Sequence, residues 1–174
     1  MLFRSVSIPV IAGTGTNDTA HSVHLTKEAA ALGAAGVLAV CPYYNRPSQA
    51  GIEGHMRAMA GASDLPVMVY DIPVRSGRKI SSALLLKLAR EVSNVVALKD
   101  AAGNPGETAS VIANAPDGFE VYSGDDGLTL PLLASGIVGT VGVATHWTGP
   151  DHRELFDRWN AGDIAGAQIG RAHV

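Results

Sequence analysis

Cysteine is nearly absent from the sequence, because Cys41 is the only one among 174 residues. A single cysteine cannot form an internal disulfide, which argues against a disulfide-stapled secreted protein and favours a reducing compartment. Long apolar runs are also missing. No stretch approaches the roughly 20 residues that cross a bilayer, and the start lacks the apolar core of a secretory signal. We therefore expect a cytoplasmic protein that has no membrane partner.

An excess of basic charge is missing as well. The 13 Lys and Arg residues are outnumbered by 16 Asp and Glu residues, which gives a formal net charge of -3. Nucleic-acid-binding domains usually carry a basic patch, so the composition argues against a nucleic-acid partner. What is present, 47% hydrophobic and 17% charged residues, is the balance of one globular domain with a substantial core.

Short apolar runs rich in β-branched residues alternate with longer amphipathic segments. The predicted strands are residues 9–12, 37–40, 66–70, 95–98, 119–122 and 140–144. The predicted helices are residues 19–32, 49–60, 81–90, 107–113, 128–135 and 151–159, and another begins near residue 163. The strands lack strict polar alternation, which is typical of parallel strands buried on both faces. Serial βαβ units of this kind predict an α/β fold, and the pattern alone fits a doubly wound sheet or a (β/α)8 barrel.

Lys99 is the most informative residue at a strand end, because it directly follows an apolar run. A buried lysine loses its hydration, its pKa falls, and the neutral amine that results can attack a ketone to form a Schiff base. The alternative is a lysine that has left the strand and pairs with Asp100. Position alone leaves both interpretations open.

Two tyrosines and an arginine share this ambiguity. Tyr44 lies just after one predicted strand and Tyr70 ends another, and a phenol there either packs with a solvated hydroxyl or relays protons. Arg75 has the fork geometry that binds a carboxylate, although a loop arginine is usually a solvated charge.

Several blocks occur in the order and at the spacing of one known family. They are residues 9–15, 42–47, 70–80, 95–100 and 123–126. Together they resemble the dihydrodipicolinate synthase and N-acetylneuraminate lyase family over residues 7–168. The resemblance implies a partial (β/α)8 TIM barrel with about six of the eight strands, without the first two strands and the C-terminal helical extension.

The resemblance also implies a class I aldolase mechanism. Lys99 would form a Schiff base with pyruvate, and Tyr70 would move protons to and from the intermediate. Tyr44 would belong to the same proton relay but would reach into the site of a neighbouring subunit, which implies a homo-oligomer built as a dimer of dimers. No metal or organic cofactor would be required, because the iminium itself withdraws electrons.

Substrate-binding residues follow from the resemblance in the same way. Arg75 would hold a carboxylate at the pocket entrance, and Gly124 and the backbone of Val141 would line the pyruvate pocket. Arg75 favours the condensation of pyruvate with aspartate semialdehyde in lysine and diaminopimelate biosynthesis, a lyase by family classification. A 2-keto-3-deoxy sugar acid aldolase or an N-acetylneuraminate lyase of the same family is the alternative.

The sequence departs from the family pattern in three places. We expect residues 1–5 and 169–174 to be non-native terminal sequence around a single incomplete barrel domain. Because an open barrel exposes strand edges, we expect this chain alone to be inactive or weakly active. Asn17 and Tyr43 match lysine-binding positions of feedback-inhibited members, but His21 replaces the expected glutamate, so feedback by lysine is unsupported.

Two readings from other functional classes remain. The first is a non-catalytic barrel fragment, which would have little reason to keep the lysine, both tyrosines and the arginine together. A nucleotide-binding domain is suggested only by Gly13-Thr14-Gly15 after the first strand, where the third glycine of the dinucleotide fingerprint is missing. The histidines lack metal-ligand spacing and are interpreted as surface or packing residues.

Overall fold

The computed structural model describes residues 8–168, which form a parallel six-stranded sheet in the order β1-β2-β3-β4-β5-β6. The strands are β1 Ile11–Gly13, β2 Gly36–Val40, β3 Val67–Asp71, β4 Val95–Asp100, β5 Glu120–Ser123 and β6 Gly139–Thr140. The helices are α1 Thr19–Ala31, α2 Gln49–Ala60, α3 Pro73–Ser76, α4 Ser82–Glu91, α5 Pro105–Asn114, α6 Thr129–Leu133 and α7 Thr145–Asn160, with a 3₁₀ helix at Asp126–Leu128.

The strand order decides between the two topologies that the sequence pattern allowed. In a doubly wound sheet the order reverses at a switch point, whereas here each strand pairs with its neighbours along the chain. Consecutive parallel strands with intervening helices form a partial (β/α)8 barrel, which confirms the predicted fold. The terminal segments that were predicted to be non-native lie outside the described residues.

The helices begin where a polar side chain can replace a missing backbone partner. In four of them the residue before the helix accepts a hydrogen bond from a backbone N–H in the first turn. These N-caps are Asp18 for α1, Ser48 for α2, Ser81 for α4 and Asn104 for α5. These caps fix where the four helices start.

The core lies between the outer face of the sheet and the helices. Leu98 of β4 is 1% exposed, and it belongs to one buried cluster with Val69 of β3, Met56 of α2 and Leu88 of α4. Burying a side chain of this size contributes about 1.5–3 kcal/mol. Side chains alternate along a strand, so the residues between these core positions point to the concave face of the sheet. Packing of the core on one face therefore determines which side chains lie on the other.

The predicted elements near the end of the described chain differ from the observed ones. The strand predicted at residues 140–144 is only Gly139–Thr140, because the N–H groups of Val143 and Ala144 donate to the Asp126 side chain instead of a neighbouring strand. Helix α7 starts six residues before the predicted Asp151 and is kinked at Thr148. Pro150, inside that helix, has no N–H to donate, which accounts for the irregular turn.

None of the helices in residues 8–168 combines the length and the apolar character needed to cross a membrane.

Candidate active site

Two of the predicted reactive residues, Tyr70 and Lys99, lie side by side at the carboxyl edge of the sheet. The strand register pairs Val40 with Tyr70, Tyr70 with Lys99, and Lys99 with Tyr122. Because side chains alternate along a strand, Tyr70 and Lys99 share the concave face, while the following Asp71 and Asp100 point to the helices. Two of the four reactive residues singled out in the sequence are therefore direct neighbours.

Lys99 lies inside β4 and is 9% exposed. Its Nζ lies 4.2 Å from the centre of the Tyr70 ring. Burial lowers the pKa of Lys99 from its usual value, and the charge of Asp126 acts in the opposite direction. A buried amine with a lowered pKa is the form that reacts as a nucleophile.

The alternative interpretation of Lys99, a pair with Asp100, is wrong. The Asp100 carboxylate accepts hydrogen bonds from the Ala102 N–H at 2.9 Å and from the Thr108 hydroxyl at 2.7 Å. It thereby ties the end of β4 to α5. Lys99 stays in the strand and contacts the tyrosine ring instead.

Gly124, predicted to line the pocket, lies directly against Lys99. A Cβ atom at this position would be 3.0 Å from Lys99 Cε, 3.1 Å from Lys99 Cγ and 2.9 Å from the Ala101 Cβ. The Gly124 N–H donates to the Asp100 carbonyl at 2.7 Å, which fixes the backbone at this distance. The lysine therefore occupies the space that glycine leaves free.

The loop after β3 is tightly held, and it carries Arg75 on the short helix α3. Asp71, 1% exposed, accepts hydrogen bonds from the Ile80 N–H at 3.1 Å and from Lys79 Nζ at 2.9 Å. The Ser76 hydroxyl contacts the backbone within the same loop. These bonds place the exposed Arg75 guanidinium close enough to Tyr70 to affect the phenol: burial raises the pKa of Tyr70, and Arg75 lowers it.

An open cleft of about 320 Å³ adjoins these residues. Of the predicted site residues, Tyr70 and Arg75 line this cleft, whereas Lys99, Gly124 and Val141 do not. The full lining is Gly13, Gly15, Leu38, Val40, Tyr43, Tyr70, Ile72 and Arg75. The cleft is large enough for a small organic acid. It opens at the end of the sheet where functional groups of parallel α/β folds collect.

Gly13 and Gly15 line this cleft, but Gly13-Thr14-Gly15 does not form a phosphate-binding loop. The N–H groups of Thr14 and Gly15 donate to the Leu38 carbonyl, at 3.1 and 3.4 Å. A Cβ atom at Gly15 would lie 2.4 Å from the Val40 backbone nitrogen. Position 15 is therefore glycine because of its close packing against β2. Its N–H is already bonded to the Leu38 carbonyl and is not available to a phosphate.

Tyr44 is not brought together with Lys99 and Tyr70 in this chain. Its side chain is 91% exposed, and its backbone has a φ of 71°. Such a left-handed conformation is uncommon for a residue with a Cβ, and it costs of the order of 1 kcal/mol or more. The loop is anchored nearby, where Asn45 donates to the Asn17 carbonyl at 3.1 Å. An exposed aromatic ring on a strained, anchored loop is typical of a contact to another molecule.

Val141 follows β6, and its N–H donates to the Ser123 carbonyl at 2.8 Å. This bond extends the pairing of β5 with β6 by one residue and places Val141 beside the segment of Gly124. The predicted pocket residues Gly124 and Val141 are thus held together at the carboxyl edge.

The three positions considered for lysine feedback lie around α1 and the cleft. Tyr43 lines the cleft, Asn17 holds Asn45 through its carbonyl, and His21 is exposed in the first turn of α1. In the described part of the chain, no group of three His, Cys, Asp or Glu side chains is arranged to hold a metal ion.

Asp126 is a site residue to which the sequence analysis gave no role. Its Oδ2 accepts hydrogen bonds from the N–H groups of Val143 at 3.0 Å and Ala144 at 3.1 Å. It is also the charged group that acts on Lys99. Its place in the block at residues 123–126 indicated a family residue. Its hydrogen-bond partners, however, lie 17 and 18 positions further along the chain, and no local sequence pattern predicts such contacts.

Comparison with known proteins gives one consistent result. Residues 4–174 match the dihydrodipicolinate synthetase family. The 4-hydroxy-tetrahydrodipicolinate synthase of Moorella thermoacetica is 48% identical over 172 residues, which cover 95% of this chain and 59% of that protein. The crystal structure of dihydrodipicolinate synthase from Bacillus anthracis is 44% identical and has a TM-score of 0.92, over 95% of this chain and 56% of that one.

A third relative was crystallised with a small acid. It is the chloride-inhibited dihydrodipicolinate synthase from Acinetobacter baumannii complexed with pyruvate, 36% identical with a TM-score of 0.89, over 95% of this chain and 57% of that one. The chain thus spans a little more than half the length of the relatives it matches. By sequence and by fold, this chain belongs to the dihydrodipicolinate synthetase family.

Proposed function

We propose that this chain carries the pyruvate-binding and Schiff-base-forming part of a 4-hydroxy-tetrahydrodipicolinate synthase, a lyase that condenses pyruvate with aspartate semialdehyde in the cytoplasm. The observation that carries the proposal is the buried Lys99 amine, whose pKa is lowered and whose Nζ lies over the Tyr70 ring. The name of the Moorella relative and the pyruvate complex of the Acinetobacter relative support the choice of reaction and substrate.

In the proposed reaction, the neutral Lys99 amine attacks the keto carbon of pyruvate. Loss of water gives a cationic imine, which withdraws electrons from the adjacent methyl group, so that loss of a proton yields an enamine. The enamine carbon then forms the new bond to the aldehyde carbon of the second substrate. This chemistry needs no metal or organic cofactor, because the imine is the electron sink.

Tyr70 is the proposed proton carrier, since its ring is the immediate neighbour of the lysine amine. Arg75 holds a substrate carboxylate at the mouth of the cleft through its guanidinium fork. Gly124 and the Val141 backbone line the pyruvate pocket, since Gly124 lies against Lys99 and Val141 is bonded to Ser123, the residue before Gly124. The strained and fully exposed Tyr44 completes the relay of a neighbouring subunit in a homo-oligomer, built as a dimer of dimers.

The test is reduction with borohydride in the presence of pyruvate, followed by mass spectrometry of the intact chain and of its peptides. We expect a mass increase of one reduced pyruvyl group, located on Lys99. The Moorella relative, treated in parallel, serves as the positive control. A chain that is folded by circular dichroism but acquires no adduct, or one that acquires it on another lysine, would contradict the proposal.

Gly124→Ala is expected to slow this adduct formation by about 10²-fold, because a displacement of about 1 Å is enough to misalign a reacting group. The new methyl group would lie 3.0 Å from Lys99 Cε and 3.1 Å from Cγ, closer than carbon atoms normally approach, so the lysine side chain would have to shift. Gly54→Ala on α2 is the matched control, since nothing lies within 4 Å of a Cβ atom there. The rate of borohydride trapping measures the difference. Equal rates for the two variants would show that the contact with Gly124 does not position the lysine.

A further inference from the structure

Asp126 is a charged residue near Lys99 to which the proposed mechanism gives no role. It begins the 3₁₀ helix two positions after Gly124, the glycine that lies against Lys99. Its side chain is only 15% exposed. A partly buried carboxylate at this place has lost much of its hydration, so its contacts should explain what it does.

The two oxygens of this carboxylate have different surroundings. Oδ2 accepts the N–H groups of Val143 and Ala144, immediately before α7, where the residue preceding the helix contributes no side-chain hydrogen bond of its own. Asp126 therefore caps α7 from a distant position in the sequence and fixes residues 141–144 beside Gly124. Oδ1 is buried, and no hydrogen-bond donor contacts it in the described residues.

Gly142 leaves the space in which Oδ1 lies. A Cβ atom at Gly142 would be 1.7 Å from that oxygen, so a side chain there would displace the carboxylate. His152 on α7 is a side-chain neighbour of Oδ1; its Nε2 lies 3.9 Å away, beyond hydrogen-bond distance. The carboxylate is therefore held in place by backbone N–H groups on Oδ2, while its Oδ1 accepts no hydrogen bond in the described residues.

We propose that Asp126 is a positioning residue that holds residues 141–144 against the site and supplies the fixed negative charge that balances the buried Lys99 amine. The proposal rests on the proposed function only in making Lys99 the reacting amine. Such a charge favours both the ammonium form and the cationic imine that replaces it, so it remains useful throughout the reaction.

The groups that face Lys99 make Asp126 its specific counter-charge. Tyr70 on β3 and Tyr122 on β5 are the register neighbours, and both are phenols whose pKa is raised by burial, to about 12 for Tyr122. They therefore stay neutral at ordinary pH. The negative charge of Asp126 raises the pKa of Lys99, against the effect of burial. His152, on α7, is the neighbour of Asp126 on the side of that helix, with its Nε2 3.9 Å from Oδ1.

The test measures the reactivity of Lys99 without any substrate, so its result does not depend on whether the aldolase proposal is correct. Lysines are acetylated with a brief pulse of acetic anhydride at a series of pH values, and the Lys99 peptide is quantified by mass spectrometry. The Asp126→Asn variant keeps one acceptor oxygen but loses the charge. We expect the midpoint of Lys99 labelling to fall by about one pH unit in this variant, while the exposed Lys27 remains unchanged.

The matched control is Asp125→Asn, which removes an exposed carboxylate one residue away and should leave the Lys99 midpoint where it is. An unchanged midpoint in Asp126→Asn, or an equal shift in both variants, would overturn the proposal. If Asp126→Asn fails to fold, Gly142→Ala provides the answer, because it retains the charge but displaces it. That variant should lower the midpoint as well, and a midpoint equal to that of the unmodified chain would refute the positioning role.

Discussion

The Lys99→Arg variant is expected to form no borohydride-stable pyruvate adduct. Arginine preserves the positive charge and much of the length of the side chain, but its guanidinium does not deprotonate in proteins and cannot supply a neutral amine. The loss should therefore be complete, even though the fold is retained. Intact-mass measurement after reduction checks this directly, and circular dichroism establishes that the variant is folded.

Lys87→Arg is the matched control for this substitution. Lys87 is exposed on α4, and its Nζ lies 2.9 Å from a carboxylate oxygen of Glu53, a partner that arginine can also bind. Its adduct yield should equal that of the unmodified chain. If Lys99→Arg retained the adduct, the nucleophile would be another lysine and the role given to β4 would be wrong.

Leu98→Ala is expected to lower the free energy of unfolding by about 2–5 kcal/mol. The side chain is 1% exposed and lies in the cluster between the sheet and the helices, so its removal loses buried apolar area and leaves a cavity. This is a large part of the roughly 5–15 kcal/mol that stabilises an ordinary domain. Urea denaturation followed by circular dichroism measures the change, and an unaltered m-value would show that the unfolding reaction is the same.

Val96→Ala provides the comparison within the same strand. Val96 is 37% exposed and lines, with Met68 and Tyr122, an open cavity of about 260 Å³ beside the irregular start of the pairing of β3 with β4. Its truncation should cost less than about 1 kcal/mol. If both alanine variants lost the same stability, the core would not lie on the helical side of the sheet.

The elements that could be predicted are those whose causes are local. Helix α4 was predicted to within one residue at each end, because Ser81 caps its start and closely spaced leucines form its buried face. Strand β4 was predicted from its apolar run, with Lys99 at its end, and the structure extends it by two residues. Of the candidate site, the neighbourhood of Lys99 and Tyr70 also followed from position, because parallel strands end at the same edge.

The elements that were missed depend on contacts between distant residues. The shortened β6 and the early start of α7 both follow from Asp126, which binds backbone N–H groups far along the chain. Helix α3 is a single turn fixed by Asp71 and Ser76, too short to have a periodic pattern. The left-handed backbone of Tyr44 is equally invisible in the sequence, since residues with a Cβ rarely adopt it.

The consecutive order of the strands also has a meaning for how the chain acquires its structure. Each hydrogen-bonded pair joins strands that are neighbours in sequence, so each pairing closes one loop made of a helix and its turns. The entropy lost in closing such a loop grows only slowly with its length, and no pairing has to wait for a remote segment. During synthesis, each strand after β1 can pair with the strand made just before it. We expect the sheet to be assembled in the order in which the ribosome delivers it.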